Sequence, residues 1–214
     1  MAELVSINIG RPERVGTRRA PSGINKQPVL SAAITPLGLA GDAVLEVKHH
    51  GGPDQAVYIY FAEDYAFWEG ELGHELRPGL FGDNLTISGI DPAEIAVGDR
   101  FAIGDVLLEI TLHRTPCATF AAQMGDAGWV KRFHEARRPG AYARVINEGV
   151  VHRGDAVRYI PAPGAERVRI SALMGLDGQR DIDAGTLRWA LRAPLAEKKR
   201  TKFEALLAGR EGQA

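Results

Sequence analysis

The stretch Val106-Leu107-Leu108-Glu109-Ile110-Thr111-Leu112-His113-Arg114-Thr115-Pro116-Cys117 contains the only cysteine of the chain. Its first eight residues alternate with a period of two, which predicts a strand with at least one buried face. Pro116 disfavours helical geometry at the preceding residue, so the chain should leave the sheet in a stiff turn. That turn presents the guanidinium of Arg114 and the thiol of Cys117 together.

A cysteine near a fixed positive charge is biased toward the thiolate, the form that attacks electrophiles and binds soft metals. The alternative for a single cysteine is a small buried hydrophobe, because free cysteines are among the most buried residues. The sequence around Cys117 leaves both interpretations open.

The composition restricts the class of protein. A chain of 214 residues with 45% hydrophobic content can form one substantial core and a small appendage. The net charge of -1 argues against nucleic-acid polymers and membrane surfaces as partners, since both require a concentrated basic surplus. One cysteine cannot form an internal disulfide, and neither a signal peptide nor a long apolar run is recognisable. We therefore expect a cytoplasmic protein.

Several common motifs are missing from the sequence. There is no Gly-x-Gly fingerprint for dinucleotides, no P-loop, no Cys-x-x-Cys and no His-Glu-x-x-His. His49 and His50 are adjacent on a segment that we expect to be extended, so they point to opposite faces and are poorly placed to share a zinc ion.

Alternating patterns and turn residues predict a mainly β, barrel-like fold built from many short strands. Besides the strand at 106–113 and a short strand near 100–103, we predict strands at 4–9, 28–34, 43–47, 56–61, 85–87, 141–146, 150–153 and 156–160. The segments 141–146 and 150–153 read as a hairpin turned at Asn147-Glu148-Gly149. A helix is predicted at 62–72 from the spacing of its aromatic residues.

The segment Pro161-Ala162-Pro163-Gly164 is the best domain boundary in the chain. It divides a β domain at 1–161 from a C-terminal helical extension at 162–214, for which we predict short helices at 167–176, 184–191 and 195–207. Because a Pro-Gly boundary implies few shared backbone hydrogen bonds, we expect the β domain to fold without the extension.

Four sequence blocks, taken in order, resemble the signature blocks of the MOSC domain family. They are His49-His50-Gly51-Gly52-Pro53-Asp54-Gln55-Ala56-Val57, Gly79-Leu80-Phe81-Gly82-Asp83-Asn84-Leu85, Gly98-Asp99-Arg100 and Arg114-Thr115-Pro116-Cys117. The resemblance covers roughly residues 24–160, and the helical tail is similar to the three-helix extension of the YiiM-like bacterial subfamily. The family fold is a mainly β barrel. Asp83 stands where glutamate is commoner.

The resemblance implies a molybdenum cofactor (Mo-molybdopterin) site. Cys117 matches the family cysteine that ligates molybdenum or, in another view, carries a persulfide. Lys26, Arg114 and Arg144 are then candidates for the pterin phosphate and the polar ring edge, although Arg144 fits an ordinary surface ion pair equally well. The residues that would line the pocket through backbone and amide groups are His50, Gly51, Gly52, Asp54, Phe81, Gly82 and Asn84.

The resemblance also implies an oxidoreductase that reduces N-hydroxylated small molecules such as hydroxylaminopurines at a molybdenum centre. A persulfide carrier that uses the same cysteine and a non-catalytic cofactor-binding module are the alternatives. A reductase of this type needs a separate electron-donor protein, because an iron-sulfur cluster normally takes four cysteine ligands and no dinucleotide fingerprint is present. A homodimer is compatible with the sequence.

Overall fold

A computed structural model describes residues 1–16, 19–45 and 51–211, and the fold it shows is rich in β-sheet with several helices. Eleven strands occur in these ranges: β1 (Glu3–Gly10), β2 (Lys26–Val29), β3 (Ser31–Thr35), β4 (Gly38–Leu39), β5 (Val57–Phe61), β6 (Leu85–Ser88), β7 (Arg100–Ile103), β8 (Val106–His113), β9 (Ala141–Asn147), β10 (Gly149–His152) and β11 (Val157–Ile160).

The α-helices of the described residues are α1 (Ala62–Leu72), α2 (Ala118–Met124), α3 (Trp129–Ala136), α4 (Ile170–Met174), α5 (Ala184–Leu191) and α6 (Glu197–Glu211). Short 3-10 turns lie at Pro53–Gln55 and Pro92–Glu94. Helix α1 has the bounds predicted from its aromatic spacing, and the three tail helices were also predicted. Helices α2 and α3 were not predicted, although they follow directly after Cys117.

The strands form a main sheet in the order β11-β7-β8-β9-β5-β6-β1-β2 and a second sheet in the order β10-β3-β4. The pair β5 and β6 is parallel and is connected through α1, whereas the other pairs are antiparallel. The outer end of β1 also bonds the segment before β11, where the Leu4 amide donates to Asp155 O at 2.9 Å. Closure of the main sheet into a barrel stays a prediction.

Two predictions about the strands were wrong. The segments β9 and β10 do not form a hairpin: β9 pairs with β8 and β5, and β10 pairs with β3 in the second sheet. Only Glu148 separates them, and one residue is too short for the loops that commonly reverse a hairpin. The predicted strand at 28–34 is divided at Leu30 into β2 and β3, which lie in different sheets.

The predicted strand at 43–47 is absent from residues 43–45, and its remaining residues lie outside the described ranges. Within the ranges described, every helix is too short or too polar to cross a membrane.

The tail helices share the core of the main sheet. Ile170, Leu187 and Phe203 are buried in the same hydrophobic cluster as Ile59 and Leu108. Backbone hydrogen bonds also cross between tail and sheet region, from the Val97 amide to Val168 O at 2.9 Å and from the Ala196 amide to Thr111 O at 3.1 Å. The tail therefore contributes to the interior that supports the strands.

A second, aromatic cluster packs between α1, α2, α3 and one face of β5 and β9. Its centre is Phe81, whose ring stacks on Tyr60 with centroids 4.7 Å apart and meets Phe120 edge-on at 5.7 Å. The cluster makes a rigid wall on one side of the turn that carries Arg114 and Cys117.

Candidate functional site

A cavity of about 410 Å³ opens beside the end of β8. It is built from loops that lie far apart in the sequence. The described residues that line it are Ala20, Pro21, Ser22, Gly23, Ile24, Lys26, Asp42, Ala43, Val44, Leu45, Gln55, Ala56, Tyr58, Gly82, Asn84, Arg114, Cys117, Thr119 and Tyr142. The lining combines apolar and aromatic side chains with many polar groups, including one lysine, one arginine and one aspartate.

Cys117 lies at the first turn after β8, in the position that the sequence predicts. Pro116 is buried, and Cys117 itself has extended backbone angles, φ −134° and ψ 170°, where it caps α2. Its carbonyl accepts a hydrogen bond from the Ala121 amide at 3.0 Å. The thiol is partly buried on the cavity wall, so it is held by the local backbone and still accessible from the cavity.

Arg114 is a buried cation with a fixed orientation. Only 6% of the residue is exposed, and its Nη1 donates to the carbonyl of Phe81. The guanidinium carbon lies 4.2 Å from the ring centroid of Phe120 and 5.0 Å from that of Tyr58. These contacts aim the charge into the cavity, where a bound anion or a thiolate would meet it.

The electrostatic neighbours of Arg114 include the thiol. Burial alone would lower the pKa of Arg114, but Tyr58, Tyr142 and Cys117 outweigh it and raise that pKa above its ordinary value. Burial also raises the pKa of Tyr142, so its hydroxyl remains a proton donor at the cavity wall. The arrangement combines a positive charge that cannot be lost with one soft, ionisable sulfur.

Gly82 is required where the second glycine-rich block passes Arg114. Its φ is 77°, a region that side chains rarely adopt, and a Cβ atom there would lie 3.2 Å from Arg114 Nη1 and 2.9 Å from Ile24 Cγ1. The glycine predicted to line the pocket therefore does so by leaving space for the guanidinium.

We expect Gly82→Ala to displace Arg114 and to lower stability by about 1–3 kcal/mol, the usual cost of a strained backbone conformation. Thermal unfolding would measure the loss. Gly104→Ala is a matched control, because Gly104 also has a positive φ, 55°, but a Cβ atom there meets nothing within 4 Å. Equal losses of thermal stability in both variants would show that the positive φ alone matters, which would contradict a specific role for the space beside Gly82.

Lys26 lies at one side of the cavity and is paired with a residue that the sequence analysis missed. Its Nζ is 2.5 Å from Asp42 Oδ2, and both side chains are nearly buried. Asp42 also accepts from the Gly10 amide at 2.7 Å and from Asn84 Nδ2 at 2.9 Å. Burial lowers the pKa of Lys26, with Asp42 partly offsetting it.

Asp42 appeared in the sequence only as the end of a turn. The one available signal was indirect, since a buried lysine requires an acidic or polar partner. Asn84, in turn, accepts from the Tyr58 amide through its Oδ1 at 3.1 Å, so the amide predicted to face the pocket also joins β5 to the floor of the cavity.

Several predicted site residues lie away from the cavity lining. Phe81 is in the centre of the aromatic cluster and contributes its carbonyl to Arg114. Gly51 and Gly52 precede the 3-10 turn at Pro53–Gln55, and Asp54 is its middle residue. The last residue of that turn, Gln55, and the following Ala56 do line the cavity. His50, like His49, lies outside the described residues.

Arg144 forms the ion pair that the sequence left as an alternative. On β9, its Nη2 lies 3.0 Å from Asp54 Oδ1, and its Nη1 lies 3.7 Å from Glu109 Oε1. The same side chain donates to Pro194 O at 3.1 Å in the tail. In this position Arg144 joins the sheet to the tail.

Asp83, which replaces the commoner glutamate, points into the protein. The hydroxyls of Tyr65 and Thr86 donate to its carboxylate at 2.7 and 2.6 Å, and Asn8 Nδ2 donates at 3.2 Å. Burial raises the pKa of Asp83. Both oxygens of the shorter carboxylate thus accept hydrogen bonds from groups inside the fold.

Taken together, the fold and the cavity define a sheet-rich protein with one thiol and one buried guanidinium on the wall of a small-molecule pocket. Residues 46–158 match the model of the MOSC domain. The chain belongs to the MOSC domain family.

Three similar proteins illustrate this relationship. The chain is 33% identical over 154 residues to the uncharacterized protein YflK of Bacillus subtilis. This alignment covers 71% of this chain and 70% of YflK. It is 29% identical over 136 residues to a protein named reductase from Gibberella moniliformis, covering 60% of this chain but 24% of that protein. The crystal structure of YiiM from Geobacillus stearothermophilus superposes with a TM-score of 0.79 at 25% identity, over 97% of this chain and 100% of YiiM.

Proposed function

We propose that the chain binds the molybdenum cofactor in this cavity and reduces N-hydroxylated small molecules, with the thiolate of Cys117 as the protein ligand of molybdenum. One observation carries the proposal: Cys117 and the buried Arg114 face the same cavity. Membership of the MOSC family and the similarity to a protein named reductase support it. We also propose that the main sheet closes into the family's barrel around this site.

The residues present fit such a cofactor. The cavity, at about 410 Å³, is within the range of about 300–1,000 Å³ typical of small-molecule and cofactor sites. The donor set is also suitable, because a single thiolate suits a soft metal and a guanidinium binds phosphate through two parallel bonds. Tyr58 and Tyr142 offer flat surfaces for a ring system.

A bound molybdenum cofactor would supply the two-electron redox chemistry that this reduction needs, with Cys117 as the residue that would hold the metal. The overall reaction takes two electrons and two protons, breaks the N–O bond and yields an amine and water. Arg114 would hold the anionic part of the bound molecules by charge, and the side chains of Ala43 and Val44 offer an apolar surface on the cavity wall. Tyr142 keeps its proton at neutral pH, so its hydroxyl can donate a hydrogen bond to a leaving oxygen.

Lys26 contributes differently from Arg114. Its ammonium is already paired with Asp42 at 2.5 Å, so it stabilises the cavity wall and offers an incoming phosphate only its remaining donors. Arg114 has no carboxylate partner among its hydrogen bonds in the described residues. We therefore assign the main anion contact to Arg114.

The experiment that tests the proposal is a metal analysis combined with a turnover assay. Protein made in a host that produces the cofactor should contain molybdenum and should reduce hydroxylaminopurine with reduced viologen or a separate reductase as electron donor. With NADH or NADPH alone it should be inactive, because the sequence offers neither a dinucleotide fingerprint nor the four cysteines of an iron-sulfur cluster. Absence of molybdenum, together with a Cys117 that gains one sulfur atom from a persulfide donor, would support a carrier instead.

Arg114→Lys should lower molybdenum retention by more than about tenfold, since the charge is kept but the planar, bidentate geometry is lost. Loss of the buried hydrogen bond to Phe81 O should lower the free energy of unfolding by about 1–3 kcal/mol. Dialysis followed by metal analysis would measure retention. Unchanged retention with a lowered Tm would show that Arg114 only supports the fold.

A further inference from the structure

A polar cluster joins the tail to the turn that carries Cys117. Asp177 follows α4 in the tail, and its Oδ2 accepts a hydrogen bond from the Thr115 hydroxyl at 3.1 Å. Its Oδ1 lies 2.6 Å from Lys199 Nζ on α6. One tail carboxylate thus connects the segment between Arg114 and Cys117 with the last helix.

His113 completes the cluster from the end of β8. It is fully buried, its Nδ1 lies 3.2 Å from Arg114 O, and its Nε2 is 3.5 Å from Asp177 Oδ2. At that distance the Nε2 atom is near the carboxylate, and no hydrogen bond joins them. Burial alone would raise the pKa of Asp177, but His113 and Lys199 outweigh it and keep the pKa well below its usual range, so the carboxylate is charged at neutral pH.

The cluster contacts Thr115, the exposed residue between the buried Arg114 and Pro116. Arg114 is anchored by Phe81 O and two aromatic rings, and the Cys117 carbonyl is fixed by the first turn of α2. Thr115 lies between them and is itself exposed, yet its hydroxyl is directed to the tail. A charge-assisted bond at this point limits the freedom of the whole turn.

We propose that Asp177 is a positioning residue that, by holding Thr115, fixes the turn through which Cys117 faces the cavity. The tail is then a part of the site. The consequence for molybdenum retention rests on the proposed function, but the positioning of the thiol does not.

The single cysteine allows a direct test on the full chain, produced in a host that cannot make the cofactor. Cys117 is labelled either with iodoacetamide, which is small enough to enter the cavity, or with a maleimide carrying a polyethylene glycol chain too bulky to enter. The ratio of the two rates reports how often the turn opens and does not depend on the intrinsic reactivity of the thiol.

Thr115→Val and Asp177→Ala should each raise the bulky-to-small ratio by about tenfold, because a hydrogen bond to a charged group is lost from the closed turn. Thr115→Ser retains the hydroxyl and should behave as the wild type. The double variant should exceed neither single variant, since both remove the same contact. Asp181→Ala, which removes the tail ion pair with Arg210, is the matched control and should leave the ratio unchanged.

A ratio within twofold of the wild type for Thr115→Val would overturn the proposal, and so would an equal increase in Asp181→Ala. Thr115→Val decides the matter even when Asp177→Ala fails to fold, because Thr115 is exposed and its substitution leaves His113, Asp177 and Lys199 intact. If the wild type holds no molybdenum in the metal analysis, the proposed function fails, while the labelling ratios still decide the role of Asp177. If it does hold molybdenum, Thr115→Val should retain less and Thr115→Ser should retain as much.

Discussion

Replacing Cys117 with serine should abolish molybdenum-dependent turnover and leave the protein folded. Serine has nearly the volume of cysteine, and the thiol is only partly buried, so no large cavity or strain arises. Cys117 also occupies the N-cap position of α2 without a side-chain bond to the first turn of that helix, and serine is a favourable residue at such a position. We expect the free energy of unfolding to change by less than about 1 kcal/mol.

The loss of activity has a separate cause. A hydroxyl is a harder ligand than a thiol and is far less acidic, so it supplies no soft anionic sulfur to a metal at neutral pH. Turnover with reduced viologen and metal content, measured beside Tm, would distinguish the two effects. Thr119→Ser, another conservative change in the same cavity lining, is the control and should remain active. Full turnover by the Cys117→Ser variant would refute the role of the thiolate.

Truncation after Pro161 should abolish cooperative folding. The Pro-Gly boundary alone predicts the opposite, an independently folded β domain. The reason for the difference is the core that the tail shares with the sheet. Five tail residues are buried in one cluster with it: Val168, Ile170, Leu173, Leu187 and Phe203. Each such side chain stabilises the fold by about 1.5–3 kcal/mol when buried, whereas a whole domain is stable by about 5–15 kcal/mol. The combined loss of several buried side chains should therefore exceed the free energy of unfolding of the remaining domain.

Polar groups of the sheet region would also lose their partners. Asp99 is fully buried, and its Oδ2 lies 2.5 Å from Arg167 Nη2 in the tail. Truncation removes this cation and the Ala162 amide and leaves the carboxylate with the Ala96 amide and the Tyr159 hydroxyl as donors. Solubility and thermal unfolding of residues 1–161 would test the prediction. A soluble fragment with a sharp melting transition would show that the division at 161 separates independent domains.

A single substitution in α6 tests the contribution of the tail to the core within the full chain. Phe203→Ala should cost about 3–5 kcal/mol, the usual loss for a buried phenylalanine, whereas Lys202→Ala on the exposed neighbouring position should be close to neutral. Similar Tm values for the two variants would mean that α6 contributes little to the core.

The sequence predicts those elements whose periodicity arises locally. Strand β8, helix α1 and the turn at Pro116 each follow from residues that lie within one segment, and the structure has all three. Helix α2 was missed because it is only seven residues long and packs its buried Phe120 into an aromatic cluster formed with distant residues. Helix α3 does have a local pattern, since its buried residues Trp129 and Phe133 are four positions apart on one helical face, and the sequence analysis did not use it.

Part of the cavity lining was named from the sequence. Five of the candidate residues, Cys117, Arg114, Lys26, Gly82 and Asn84, line one cavity, and their roles toward a cofactor stay predictions. Asp42 and Asp177 were not predicted, because each is recognised only by what it contacts: a buried lysine in one case and a threonine of the turn in the other. Partners that come from distant parts of the chain have no local signature.

The bonds between the outer end of β1 and residues 154–157 affect the order of events during synthesis. The Leu4 amide donates to Asp155 O, the Gly154 amide donates to Leu4 O, and the Val157 amide donates to Ala2 O. During synthesis, β1 therefore lacks these partners until residues 154–157 have also left the ribosome. Non-local pairings of this kind form slowly, since a long loop must close before they are gained. A nascent chain that stops before residue 154 cannot complete the main sheet, so we expect the thiol-bearing cavity to form only after residues 154–160 have been made.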